Sequence, residues 1–173
     1  MSQVRILEAG DAADFVTVRL RALREHPEAF GSSLEEEEPI PVEKTVESLE
    51  KSLPNNPIFG AFIDGQLVGI IALNRSSRVK TRHRANIGAM YVTPEARQQK
   101  LGRALLDAAI DYARSLDGLE DVVLAVTVGN EAARALYVST GFESYSIDPR
   151  YIFTDGRYYD IEWMILHLHP PLE

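Results

Sequence analysis

The stretch Met90-Tyr91-Val92-Thr93-Pro94-Glu95-Ala96-Arg97-Gln98-Gln99-Lys100-Leu101-Gly102-Arg103-Ala104-Leu105-Leu106 decides how this chain is to be read. An apolar strand, predicted over Asn86 to Val92, runs into Thr93-Pro94-Glu95, which breaks it, and a helix is predicted from about Gln98 to Leu116. A strand that turns tightly into a helix presents unpaired backbone N–H groups at the positive end of the helix. Such a turn holds phosphate without a metal. Leu101, Leu105, Ala108, Ala109 and Tyr112 are the expected buried stripe of this helix.

Outward from that turn, Gln3 to Leu7 reads as a first strand, and Asp11 stands as N-cap before an amphipathic helix carrying Phe15, Val18, Leu20, Ala22 and Leu23. Pro27 ends it. A loop with Phe30, Ser32, Ser33 and the acidic run Glu35 to Glu38 leads to a second helix from about Val42 to Leu53. Ile58 to Ile63 and Leu67 to Leu73 are apolar runs joined by Asp64-Gly65, the dipeptide that most readily supplies the positive φ angles of a tight hairpin. Asp121 to Val128 is continuous and β-rich, as expected of a central strand covered on both faces. A short helix after Asn130, a strand opening at Gly141-Phe142 and a closing strand from Tyr158 to Leu168 complete the order βααβββαβαββ.

Composition narrows the chemistry. The 173 residues suit one domain, residues 1–173, with 45% apolar and 25% charged side chains and no apolar run near the roughly 18 residues that span a membrane. The N-terminus lacks a secretory pattern, so a soluble cytoplasmic protein is expected, with no membrane partner. There is no cysteine, which excludes a cysteine-bound acyl intermediate and thiolate metal sites. His26, His83, His167 and His169 have no ligand partners at metal spacing, so no metal is expected. A net charge of −8 argues against a nucleic-acid partner and suits cationic acceptors. The basic stretch Arg75, Arg78, Lys80, Arg82, His83 and Arg84 reads as a solvated hairpin turn, about 20 Å of strand away from the phosphate turn.

Two segments carry a resemblance to the GCN5-related N-acetyltransferase (GNAT) superfamily. Its signature after the strand is Arg or Gln, two residues, Gly, one residue, then Gly or Ala, and Arg97 and Gly102 match while Lys100 stands in the place of the first glycine. Asn130-Glu131-Ala132-Ala133-Arg134-Ala135-Leu136-Tyr137, followed by Gly141-Phe142, is similar to its second motif. The resemblance implies an α/β fold, a mixed, mostly antiparallel sheet with a splayed parallel strand pair and helices on both faces. It implies acetyl-CoA as acyl donor, with the backbones of Met90, Tyr91 and Val92 along the pantetheine and the amides of Gln98, Gln99, Lys100, Leu101, Gly102 and Arg103 around the pyrophosphate. Arg97, Lys100 and Arg103 would form a cationic rim.

Asn130, an expected N-cap, would also contact the pantetheine, and Tyr137 would protonate the departing sulfur. A tyrosine with an ordinary pKa near 10 is neutral at working pH and meets that need. Where the superfamily often supplies a glutamate as base, this chain has Asn86 and Ala125. Deprotonation then passes through water to a more distant carboxylate, or the amine arrives already neutral. Phe30, Ser32, Ser33 and Glu36 are the candidate acceptor-binding residues, in a loop that walls the acceptor site in proteins this one resembles. The expected activity is transfer of acetyl to a primary amine of a small molecule or peptide, and a homodimer is compatible with the resemblance. A non-catalytic acyl-CoA-binding or sensing domain is the rival.

Overall fold

A computed structural model describes residues 1–169. Seven strands form one sheet in the order β1-β2-β3-β4-β5-β7-β6, comprising β1 (Ser2–Ile6), β2 (Ile58–Ile63), β3 (Gln66–Arg75), β4 (Arg84–Val92), β5 (Asp121–Thr127), β6 (Glu143–Thr154) and β7 (Arg157–His167). Every neighbouring pair is antiparallel except β4 and β5. The helices are α1 (Ala12–Glu25), α2 (Leu34–Glu37), α3 (Val42–Glu50), α4 (Leu101–Ser115) and α5 (Glu131–Ser139). The predicted order holds, with one addition. The acidic run read as loop winds into the short α2, because Ser33 and Glu36 form a reciprocal capping box at its start.

Asp64 and Gly65 adopt φ of 49° and 85°, the two positive values of a type I′ turn, and β2 and β3 pair across them as expected. One core lies on the α4 side, where Leu105, Leu106 and Ala109 are fully buried against Ile71, Leu73, Val122 and Leu124. Each leucine so placed contributes about 1.5–3 kcal/mol. The other lies under α1 and α3, where Val18, Ala22 and Leu49 meet Leu67 and Ile70. The buried stripe of α4 is Leu101, Leu105, Leu106, Ala109, Ile110 and Ala113, slightly rotated from the predicted one. Tyr112 sits at the edge of this core and sends its hydroxyl to the Pro54 carbonyl at 2.9 Å.

β4 and β5 decide the shape of the centre. They pair only at Arg84–Asp121, Ala85–Val122 and Asn86–Val123, then part. On the other side of β4 the register with β3 jumps from Ile70–Tyr91 to Ala72–Gly88, so two residues of β4 oppose one of β3. Ala89 sits in this bulge at φ 53°. A bulge bends its strand and strengthens its twist, which turns the end of β4 away from β5. The prediction that β5 is covered on both faces is met only in part: Ala125 is exposed, since the second core under α1 and α3 reaches no residue of β5.

Candidate active site

The parting of β4 and β5 opens a cleft of about 580 Å³ whose walls include Met90, Tyr91, Val92, Arg97, Gln98, Lys100, Leu101, Gly102, Arg103, Asn130 and Tyr137. The two sequence motifs thus face each other across one space. Gln99 lies outside this lining. A smaller gap of about 120 Å³ continues from it between the strands, bounded by Gly88, Ala89, Met90, Ala125, Thr127 and Tyr137.

The phosphate turn begins before α4. Gln98 and Lys100 take left-handed conformations, φ 65° and 60°, which delays the helix from the predicted Gln98 to Leu101. Among the described residues, the amides of Gln98, Gln99, Lys100, Leu101, Gly102 and Arg103 donate to nothing in the protein, and the first backbone bond of the helix is Ala104 N to Lys100 O at 3.0 Å. Six successive open donors, with left-handed backbone at Gln98 and Lys100, form an anion-binding concavity. The same φ explains why glycine suits position 100: a side chain there costs about 1–2 kcal/mol, which Lys100 accepts. Gly102 answers to proximity, since a Cβ would stand 3.3 Å from the end of Met90 and 3.7 Å from Leu136. In the cationic rim, Arg103 already pairs with Asp107 at 2.8 Å and Arg97 donates to the Val92 carbonyl at 3.2 Å. These open amides and cations fit a coenzyme A pyrophosphate.

At the other end, Asn130 caps α5 by accepting from the Ala133 amide at 3.3 Å. Tyr137 is buried, its ring edge-on to Phe142 with 6.0 Å between centroids. No protein partner of its hydroxyl exists among the described residues, and the residue lines both the cleft and the strand gap. Burial pushes the Tyr137 hydroxyl up to about 12, so it keeps its proton at any physiological pH. Helix α5 is fixed to the sheet by Arg134, which clasps the buried Glu162 through two bonds of 2.8 and 3.2 Å. Asn130 and Tyr137 belong to the helix so anchored.

A second cleft of about 570 Å³ lies between the α1–α2 loop and the tip of the β6–β7 hairpin, lined by Arg24, Phe30, Ser32, Ser33, Glu35, Tyr151 and Phe153 among others. Phe30 borders this cleft, the strand gap and the larger cleft alike. Glu35 rather than Glu36 faces the space. Glu36 accepts from the Ser33 amide at 2.8 Å, and the Ser33 hydroxyl accepts from the Glu36 amide at 3.3 Å. Glu37 pairs with Arg19 at 2.7 Å. Asn86 and Ala125 are both exposed and neither carries a carboxylate. Among the described residues there is no group of acids and histidines able to hold a metal.

Sequence reasoning passed over the Ala89 bulge and the loop residues His26 and Glu28, which also line the larger cleft. Gly88 was the available sign of the bulge, since a glycine inside a strand often marks one. No local pattern marks His26.

The sequence profile of the Acetyltransferase (GNAT) family matches residues 20–142. The chain belongs to the GNAT acetyltransferase family. GNAT members use acetyl-CoA as acyl donor. The chain is 34% identical to the N-alpha-acetyltransferase RimI of Mycobacterium tuberculosis over 107 residues, 62% of this chain and 65% of that protein. It is 28% identical to a spermidine N(1)-acetyltransferase of Vibrio cholerae over 100 residues, 58% of this chain and 56% of the other. The matched region thus spans less than two thirds of these curated relatives. Among solved structures, yncA of Salmonella typhimurium, an acetyltransferase described with acetyl-CoA, superposes with a TM-score of 0.87 at 23% identity, covering 100% of this chain and 97% of that one. A GNAT acetyltransferase of Streptococcus pneumoniae gives 0.88 at 23% identity, covering 96% and 99%. At these identities the likeness is one of fold.

Proposed function

We propose that residues 1–173 act as one N-acetyltransferase domain that moves an acetyl group from acetyl-CoA directly to a primary amine of a small molecule or peptide. The observation that carries this reading is a single cleft with a run of open amides at one end, five of the six from residues on its lining, and an unpartnered, protonated Tyr137 hydroxyl at the other. The coenzyme supplies the activated thioester when bound. The chain supplies the rest. The amides of Gln98 to Arg103, with Arg97 and Lys100, hold anionic charge, and the backbones of Met90, Tyr91 and Val92 lie along the β4 edge that no neighbouring strand pairs.

A free N–H near Tyr91 or Val92 polarises the reacting carbonyl, and Asn130 orients the arm from the opposite wall. Tyr137 gives its proton to the departing sulfur, a role that requires it neutral. With no cysteine in the chain, transfer runs directly to the amine. The amine enters past Phe30, with Ser32, Ser33 and the acidic loop around Glu35 and Glu36 forming the acceptor wall. Because positions 86 and 125 carry no carboxylate, the ammonium proton leaves through water at the exposed mouth of the gap.

The names of the relatives support an amine acceptor, a protein N-terminus in one case and a polyamine in another. The absence of a carboxylate at Asn86 and Ala125 favours a second reading, a non-catalytic acyl-CoA sensor. Tyr137→Phe separates the two. In an enzyme it suppresses thiol release from acetyl-CoA in an amine screen while coenzyme affinity holds, whereas a protein that never releases thiol with any amine is a sensor.

A homodimer is part of the proposal. Every exposed Phe, Tyr or Trp among the described residues, namely Tyr145, Tyr151, Phe153 and Tyr158, lies on the β6–β7 hairpin, and such a cluster supports self-association. Sedimentation of the wild type against Phe153→Lys tests it, and a wild-type monomer would remove it. A cytoplasmic place of action is part of the proposal. No helix among the described residues is long and apolar enough to cross a membrane.

A further inference from the structure

The loop leaving α1 crosses the mouth of the main cleft and is fastened on both banks. On the β5 bank, the Thr127 hydroxyl donates to the Glu28 carbonyl at 2.7 Å. On the β4 bank, Arg97 Nη2 lies 3.1 Å from His26 Nε2. A guanidinium has donors only, so His26 Nε2 must accept, and the ring is the neutral tautomer with its proton on Nδ1. That nitrogen faces the Glu28 carboxylate at 3.6 Å, too far for a hydrogen bond but a favourable charge contact for an N–H.

The imidazole is held from a third side by the Tyr91 ring, 6.2 Å between centroids. Tyr91 is itself fixed by its hydroxyl, which donates to Glu25 at 2.6 Å. Arg97 is otherwise anchored only through Nε to the Val92 carbonyl at 3.2 Å. It is an exposed, long side chain that would sample many rotamers without a second contact. Three of its five N–H groups have no partner among the described residues and are available to an anion.

We propose that His26 is a positioning residue. It holds the Arg97 guanidinium ready beside the open amides, so that the coenzyme pyrophosphate meets a cation already in place, and it secures the loop that carries Phe30 to the same bank. The proposal rests on reading Arg97 as a pyrophosphate cation. Binding to a preset group avoids the ordering loss that a free arginine would suffer, and the expected benefit in coenzyme affinity is about fivefold, the size of one ordinary net hydrogen bond.

The test is titration calorimetry of coenzyme A against four proteins: wild type, His26→Ala, Arg97→Ala and the double variant. Since His26 is partly exposed, its truncation is compatible with folding, and the ligand-free melting temperature checks this. His26→Ala should weaken coenzyme A about fivefold in the wild-type background and have no effect in the Arg97→Ala background. His26→Gln, whose side-chain oxygen accepts at a similar reach, should restore most of the loss. Equal losses in both backgrounds would show that His26 acts on the loop and not through Arg97, and would overturn the proposal. If Arg97→Ala weakens binding and His26→Ala does not, the positioning role falls while the site stands. If Arg97→Ala itself leaves affinity unchanged, the reading of Arg97 falls first.

Discussion

Between Gln98 and Arg103 six consecutive amides are left open, and two residues hold left-handed backbone to keep them so. Across the molecule, Ser33 to Glu37 presents more formal charge yet keeps far less of it free: Ser33 and Glu36 cap each other, and Glu37 is clasped by Arg19. The first region departs from good local structure without an internal reason, as a binding surface does. The second satisfies its own groups. Unspent hydrogen-bonding capacity is therefore a better guide to a ligand site than charge density, and on that measure the proposed coenzyme end is formed in advance while the proposed acceptor end is defined by shape around Phe30.

The largest expected effect sharpens that contrast at its chemical end. Tyr137→Phe should lower turnover by about 10²-fold or more with coenzyme affinity unchanged, measured by thiol release and calorimetry. The raised Tyr137 pKa has a second consequence. A group whose folded value lies above its unfolded value of 10.0 stabilises the fold fully below pH 10, and that contribution is lost as pH rises toward about 12. Wild type should therefore lose stability over that interval relative to Tyr137→Phe in paired denaturant melts. Parallel curves would contradict the burial of Tyr137.

Next in size is Arg134→Ala, which strands the buried Glu162 carboxylate. Because Arg134 is itself half exposed, solvent screens the pair and the loss should show as a modest fall in melting temperature, and it should weaken coenzyme binding by loosening α5. On the acceptor side, Ser33→Ala should cost about 1 kcal/mol through its cap and leave coenzyme affinity untouched. A change in coenzyme affinity there would erase the distinction between the two regions. The smallest effect has the opposite sign. Lys100→Gly relieves a left-handed side chain, a gain largely offset by the greater chain entropy that glycine loses on folding, and should raise the melting temperature of the free protein slightly while weakening coenzyme A through loss of a cation.

Much of the fold was legible because local and global signals agreed. Asp64-Gly65 demanded a hairpin and made one, and β3, β4 and β5 lie where their continuous apolar, β-rich runs put them. The same dipeptide at Asp155-Gly156, φ 50° and 72°, turns β6 into β7. The start of α4 was misjudged by three residues, since Gln98, Gln99 and Lys100 are good helix formers by propensity and only the backbone path shows that they stay outside it. Covering of β5 was overestimated because an apolar run does not reveal where a neighbouring layer stops. In the candidate site, Asn130, Tyr137 and Arg97 stood out through the resemblance of their two segments to GNAT motifs. The Ala89 bulge arises from register and had only Gly88 as its local sign, whereas the His26–Arg97 contact joins two segments 71 residues apart and is written in no local pattern.

The central claim is that the open turn at Gln98 to Arg103 and the cleft leading to Tyr137 receive acetyl-CoA. Its most direct test is the melting temperature of the protein with and without acetyl-CoA, beside an adenosine control. A ligand at about 100 times its dissociation constant stabilises the folded state by about 2.7 kcal/mol, so a clear upward shift with acetyl-CoA and none with adenosine is expected. An unchanged melting temperature at saturating acetyl-CoA would contradict the account.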